Sequence, residues 1–192
     1  MTEPIEHETY AHYLQQRSTL GKLYRNYLLY PRLGRCVKGR VLDFGCGIGD
    51  FLLFRPGTVG VDINPHNVEF CRARGADAEL SQEGRIPYGD GEFNTVVMDN
   101  VLEHIPKNCV DRVLSEVLRL LHPAGKLLIG VPGLKGYDSD DDHKCYYSEQ
   151  DLITLLGRYG CRKVKSFHMP VHMLWLENHL SQYCIYVLFA KA

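Results

Sequence analysis

The chain contains no apolar run approaching the ~20 residues that a membrane span requires. Its opening residues, MTEPIEHETY, have neither the basic flank nor the apolar stretch of a secretory signal. These two absences make the cytoplasm the expected compartment and leave no membrane span to expect. A dominant charge of one sign is missing too: 22 Lys and Arg stand against 23 Asp and Glu, for a net charge of -1. Without a broad basic field, bulk charge gives no reason to expect a nucleic-acid partner. The seven cysteines (36, 46, 71, 109, 145, 161 and 184) include no CxxC pair and are odd in number. Neither a disulfide framework nor a zinc knuckle is expected, and they read as reduced packing residues.

What is present is the balance of an ordinary globular domain: 192 residues, 45% hydrophobic and 23% charged. That is enough for one full-sized core and too little for two. After a tyrosine-rich leader over 1–38, the remainder (39–192) shows recurrent short β-type runs: RVLDFG (40–45), TVGVDI (58–63), DAEL (77–80), FNTVVMD (93–99) and KLLIGVP (126–132). Helical patterns lie between them. NPHNVEFCRARG opens on an Asn-Pro cap signal and closes at Gly75, and Val110, Val113, Leu114, Val117, Leu118 and Leu121 recur at helical spacing. Near-continuous apolar strands alternating with helices predict an α/β fold with a mostly parallel sheet covered on both faces. Towards the end the rhythm changes. Ser148 and Asp151 offer a capping box for a helix, and RKVKSFHM (162–169) and CIYVLFAKA (184–192) then follow as an antiparallel pair closing the sheet edge.

Residues 41–50, VLDFGCGIGD, run from a strand into Gly45, Gly47 and Gly49, with a helix expected from about Asp50. Bare backbone at such a turn lets a ligand approach the chain and the helix N-terminus. A dinucleotide fingerprint GxGxxG would need glycine where Asp50 stands, and that carboxylate would repel a pyrophosphate. A nucleotide-linked oxidoreductase is therefore disfavoured. A ligand with a cationic amine and no phosphate is compatible with acidic residues before and after the glycines, and S-adenosylmethionine is such a ligand.

With these motifs the sequence resembles the class I S-adenosylmethionine-dependent methyltransferases, in the branch that includes ubiquinone O-methyltransferases and many small-molecule and sugar methyltransferases. Four blocks occur in the family's order: VLDFGCGIGD, GVDINPHNVEFCR, IPYGDGEFNTVVMDNVLEHI and LHPAGKLLIGVP. The resemblance implies a Rossmann-like, doubly wound, seven-stranded sheet with an antiparallel last strand and an N-terminal helical lid. It also implies S-adenosyl-L-methionine as cofactor and S-adenosyl-L-homocysteine as product. Gly45, Cys46, Gly47 and Gly49 would then form the cofactor turn, and Asp43 would orient the amino-acid end. Asp62 would accept from both ribose hydroxyls, Ile63 would pack on the adenine, Gln82 would meet its amino group, and Asn100 would offer a carbonyl to the amine. The helix after the glycines is expected to be short, because Pro56 and Gly57 end it early.

Open α/β sheets present ligands to the carboxyl ends of their strands, so the acceptor side is sought after the fourth and fifth. His104 in VLEHI and His143 in DDHKCYY are the candidate bases, since histidine titrates near neutral pH. The plain alternative is that either one caps a helix or braces a loop. Tyr146, Trp175, Tyr10 and Tyr13 are the candidate acceptor contacts. Leu20, Tyr24 and Tyr27 share a helical face that is expected to dock the leader on the sheet. Asp138, Asp140, Asp142 and Glu149 match a calcium-loop spacing, but His143 replaces its glycine, so a solvated loop is expected. Glu103 and His104 are neighbours on an expected helix and do not easily face one point, so no metal is expected. The expected activity is methyl transfer to an O or N atom of a small-molecule or sugar-like acceptor. The alternative is a noncatalytic binding module acting through a partner protein.

Overall fold

The computed structural model describes residues 18–81 and 86–191. Seven strands form one sheet in the order β3-β2-β1-β4-β5-β7-β6: β1 (Val41–Phe44), β2 (Thr58–Asp62), β3 (Ala78–Leu80), β4 (Phe93–Asp99), β5 (Leu121–Pro132), β6 (Cys161–Met169) and β7 (Cys184–Lys191). The first five are parallel to one another. β7 lies antiparallel between β5 and β6, with Gly130 opposite Tyr186 and Phe167 opposite the same tyrosine. The expected closing pair is present, and only β7 runs against the rest.

Side chains that alternate along a strand divide this sheet into two faces. Leu42, Val96, Met98, Leu127 and Ile129 point to one side, where they pack with Leu114, Val117 and Leu118 of the helix Lys107–Leu120 and with Leu152 and Leu156 of the helix Glu149–Gly157. Their strand neighbours Val41, Val97 and Leu128 point to the other side, against Leu29, Tyr30, Leu33 and Phe51. Fully burying such aliphatic side chains contributes about 1.5–3 kcal/mol each, so both helical layers are held by the strands' two-residue period. The capping box forms as the sequence predicts, with Ser148 accepting from the Asp151 amide and Asp151 accepting from the Ser148 amide. The helix after the glycine turn, Asp50–Phe54, is short, as Pro56 and Gly57 require.

The leader departs from its expected face. Leu20 and Tyr27 are 77% and 74% exposed, while Leu29, Tyr30 and Leu33 are buried. The reason is a π-turn over Arg25–Leu29 between the helices Thr19–Tyr24 and Tyr30–Gly34. A wider turn rotates everything after it, so a face extrapolated from Leu20 at 3.6 residues per turn misses the sheet. Tyr24, the third member of that face, does pack against the core. Tyr10, Tyr13 and Gln82 lie outside the described residues.

Candidate cofactor and acceptor site

The glycine turn follows β1 directly. Gly45, Gly47 and Gly49 all have positive φ, at 76°, 53° and 76°, a region that side chains reach only with strain. The amides of Gly45 and Cys46 both donate to the Val61 carbonyl, at 2.8 and 3.0 Å, so the turn folds over the end of β2. A Cβ at position 45 would stand 2.5 Å from Val101 Cγ2. The Cys46 thiol turns down into the protein, where a Cβ on Gly60 would meet its sulfur at 2.7 Å. Its contact with the Cys71 thiol and its burial push its pKa up, which leaves Cys46 a packing thiol whose backbone alone belongs to the turn.

Asp62 closes β2 and fastens the turn. Its Oδ2 accepts from the Gly47 amide at 2.7 Å, and its Oδ1 accepts from the Asn64 amide at 2.8 Å and from Asn67 Nδ2 at 3.3 Å. The next residue, Ile63, is 73% exposed, an apolar side chain left open at a carboxyl strand end.

Asp43 is 4% exposed and accepts no hydrogen bond from the described residues. Burial, then the negative charge of Asp99, push its pKa up to about 8, against the opposing pull of Arg25. Asp99 is better supplied: it accepts from Tyr186 Oη at 2.7 Å, from Asn100 Nδ2 at 3.1 Å and from Arg25 Nη2 at 3.1 Å. Arg25 Nε also donates to Tyr30 Oη at 2.9 Å. Tyr186 reaches Asp99 because it lies over Gly130, where a Cβ would approach the ring to 2.3 Å. Arg25 escaped the sequence reading, since nothing in its neighbourhood marks it before the π-turn aims it at β4. Asn100 has φ 55°, the one non-glycine residue with positive φ among those described. This conformation costs of order 1 kcal/mol and is typical of functional turns.

Asp43 and Asp99 thus share the Arg25 guanidinium, which bonds Asp99 and only pulls on Asp43 from a distance. A buried carboxylate short of donors is stabilised by a cationic ligand, and the sulfonium and ammonium of S-adenosylmethionine fit that deficit.

A second cluster stands beyond β4 and β5. The single 3-10 turn Leu102–His104 follows Asn100, and the loop after β5 is clamped onto it: the amides of Lys144 and Cys145 both donate to the Glu103 carbonyl, at 2.7 and 3.0 Å. This brings His143 beside His104, ring centroids 4.7 Å apart. His143 stacks on Tyr137 at 5.4 Å, and Tyr137 meets Tyr146 edge-on at 5.6 Å, a continuous row of rings. His143 Nδ1 is 2.8 Å from the Tyr137 carbonyl, which only accepts, so Nδ1 carries the proton. His104 Nδ1 lies 3.1 Å from Asp142 Oδ2. Burial and the neighbouring His143 lower the His104 pKa.

Glu103, 1% exposed, has both carboxylate oxygens buried without a hydrogen-bond partner. Burial pushes it up to about 8. One ligand atom each from Glu103, His104 and His143 lies within 4.8 Å of the others. The expectation that Glu103 and His104 do not share one point fails here, because they sit on one isolated turn rather than a regular helix and the clamped loop folds across it. Asp142 serves His104 and Lys144, while Glu149 pairs with Lys163 and accepts from Ser166 Oγ at 2.9 Å. Tyr146 donates to Glu177 Oε1 at 2.5 Å, tying the loop to the short helix Leu174–Glu177. Trp175 on that helix is 62% exposed and stacks on His179 at 4.3 Å.

The family described as "Methyltransferase domain" matches residues 10–166. The human protein named "Probable tRNA methyltransferase 9B" is 28% identical over 129 residues, covering 66% of this chain and 27% of that protein. A sterol 4-C-methyltransferase of Caenorhabditis elegans is 31% identical over 118 residues, covering 55% of this chain and 34% of that protein. The chain therefore spans about a third or less of these two relatives. The solved structure of a Burkholderia thailandensis 1,6-didemethyltoxoflavin-N1-methyltransferase with bound S-adenosylhomocysteine superposes with a TM-score of 0.68 at 19% identity, covering 98% of this chain and 87% of that one. Among the described residues no helix is long and apolar enough to cross a membrane. The relatives' names agree in methyl transfer and differ in acceptor. With its sheet order, its glycine turn and the match over most of its length, the chain belongs to the methyltransferase domain family of class I, with S-adenosylmethionine as cofactor.

Proposed function

We propose that this protein transfers a methyl group from S-adenosylmethionine to an O or N atom of a small-molecule or sugar-like acceptor. The observation that supports the reading is the grouping of Asp43, Asp62 and Asp99 at the carboxyl ends of β1, β2 and β4, with the His104–His143 pair on the turn and loop that follow β4 and β5. Gly45, Cys46, Gly47 and Gly49 would give backbone to the cofactor, Asp43 and the Asn100 carbonyl would hold its ammonium, Asp62 would hold the ribose, and Ile63 the adenine face. Gln82, outside the described residues, is assigned to the adenine amino group.

When bound, the cofactor supplies an electrophilic methyl on a sulfonium, open to in-line attack. The chain's own part is orientation, which can contribute on the order of 7–11 kcal/mol, and proton removal. With the Nδ1 proton of His143 held by the Tyr137 carbonyl, its Nε2 is the atom that accepts a proton from an attacking hydroxyl or amine. His104, oriented by Asp142, is the second candidate base. Tyr146 and Trp175, with Tyr10 and Tyr13 of the 1–38 segment acting as a lid, complete the acceptor wall. Seven free cysteines suit a reducing compartment, the cytoplasm. The net charge of -1 supports a small acceptor over a nucleic acid.

The test is calorimetric titration with S-adenosylhomocysteine, with NADH as control, followed by methyl-transfer assays on hydroxylated and aminated metabolites and on bulk tRNA. Micromolar binding of the homocysteine compound alone, with methylation of a metabolite, is expected. Methylation of tRNA only would refute the small-acceptor reading, and binding of neither ligand would put the noncatalytic binding module in its place.

A further inference from the structure

A cavity of about 530 Å³ opens between the leader, the helix Asp50–Phe54 and the end of the helix Pro65–Ala73. The leader contributes Lys22 and Arg25 to its lining, the first helix Asp50 and Phe54, and the second helix and its cap Phe70 and Arg74. Three cations thus stand against one acid among the described lining residues, in a chain whose net charge is -1. The positive excess is local. Two of the cations are held by bonds that leave donors over. Arg25 commits Nε to Tyr30 and Nη2 to Asp99, and its Nη1 has no partner among the described residues. Arg74 Nη1 donates to the Ile48 carbonyl at 3.0 Å and to Asp50 Oδ1 at 3.2 Å, which leaves Nη2 unbonded among the described residues. Its guanidinium lies 5.2 Å from the Phe70 ring. The Lys22 ammonium has neither hydrogen bond nor ion pair among the described residues. A guanidinium already fixed by one acceptor and still carrying N–H groups is preformed for a second oxyanion, because little side-chain entropy remains to be lost.

The same cavity offers apolar area. Leu53 and Phe54 are each 38% exposed where they line it. Its volume falls in the range of roughly 300–1,000 Å³ typical of small-molecule sites. A bare inorganic ion would meet the cations and leave the rings in water, whereas an anion with an apolar body satisfies both. None of the described residues assigned to the cofactor lines this cavity. We propose that it binds a small organic anion, a carboxylate or phosphate monoester on an aromatic or aliphatic body, at a site separate from that of the cofactor. Lys22, Arg25 and Arg74 would hold the acidic group, with Phe54 and Phe70 against the body. The proposal is independent of which acceptor is methylated.

The test is calorimetric titration of the full chain with phenyl phosphate and with phenylacetate, using inorganic phosphate and benzyl alcohol as controls that each lack one half of the ligand. Both organic anions are expected to bind one to one, and each control at least about tenfold more weakly, the loss that one missing charge-assisted bond or apolar contact brings. High salt should weaken the anions and leave benzyl alcohol unchanged. Lys22→Glu sets an acid among the remaining cations and should weaken phenyl phosphate by about 10–100-fold, with Arg74→Gln acting in the same direction. Arg74 also braces the Ile48 carbonyl, so the exposed position Lys22 is the cleaner variant, and its unchanged S-adenosylhomocysteine affinity reports that the fold is intact. No binding of either organic anion, or binding unchanged in both variants, overturns the proposal. Displacement of phenyl phosphate by S-adenosylhomocysteine overturns it as well, since the cavity would then belong to the cofactor. Binding of S-adenosylhomocysteine without binding of either organic anion separates this failure from failure of the cofactor reading.

Discussion

Replacing Asp62 by Ala removes an acceptor that three protein donors share: the Gly47 amide, the Asn64 amide and the Asn67 side chain. Two effects should appear together. In the folded protein each buried donor left unpaired costs about 1–3 kcal/mol, and water entering the vacated space recovers part of it. A stability loss of about 3 kcal/mol is expected in urea melts. For the cofactor, two ribose hydroxyls lose a charged acceptor, at about 1.5–3 kcal/mol per bond. A factor of ten corresponds to about 1.4 kcal/mol, so S-adenosylhomocysteine affinity should fall by about 10²–10⁴-fold. Freeing Gly47 also loosens the glycine turn, which acts in the same direction. The assay is calorimetric titration at a denaturant-free temperature where circular dichroism shows the variant folded. A folded Asp62→Ala protein whose affinity stays within about threefold of wild type would refute the placement of the ribose at Asp62.

Asp43 gives a pH prediction. Its folded pKa stands near 8, against an ordinary value of 3.8, so the folded state holds a proton that the unfolded chain releases between those values. Its contribution to stability is therefore present at low pH and is lost as pH rises towards and through 8, by about 3 kcal/mol between pH 6 and 9. Asp43→Asn should remove that slope and gain on wild type at pH 9 in urea melts while binding S-adenosylhomocysteine more weakly, and an equal wild-type-to-variant difference at both pH values would contradict it. His143→Ala is expected to lower turnover by at least about 10²-fold while leaving S-adenosylhomocysteine affinity unchanged, as loss of a base near the acceptor requires; unaltered turnover would return His143 to a loop-bracing role. Arg25→Gln should cost about 1.5–3 kcal/mol in denaturant melts by leaving Asp99 without its charged donor, and a melt matching wild type would show that the Arg25–Asp99 pair contributes nothing to the leader's docking.

The glycine turn and the acid at the end of β2 were legible because each of these parts is local. A strand followed at once by glycines has few conformations, and an acid at the end of the next parallel strand is carried to the same edge by sheet pairing alone, through the register Asp43 to Gly60 and Phe44 to Val61. The acceptor half depends on contacts between residues about forty apart. His143 reaches His104 only because two loop amides seize the Glu103 carbonyl, and backbone bonds of that kind leave no trace in side-chain pattern. Glu103 read as one half of a helical Glu-His pair, and its burial without a partner appears only when the chain is folded.

The sequence by itself determined the alternation of strands and helices, the two apolar faces, the glycine turn with its flanking acids, and the capping box at Ser148. All of these follow from steric and hydrogen-bond preferences acting over a few residues. The tertiary structure alone decided which face the leader presents, because one π-turn rotates it. It also decided that Arg25 guards Asp99 and that Glu103, His104 and His143 converge, because long-range packing, not local propensity, sets the separation between loops distant in the chain.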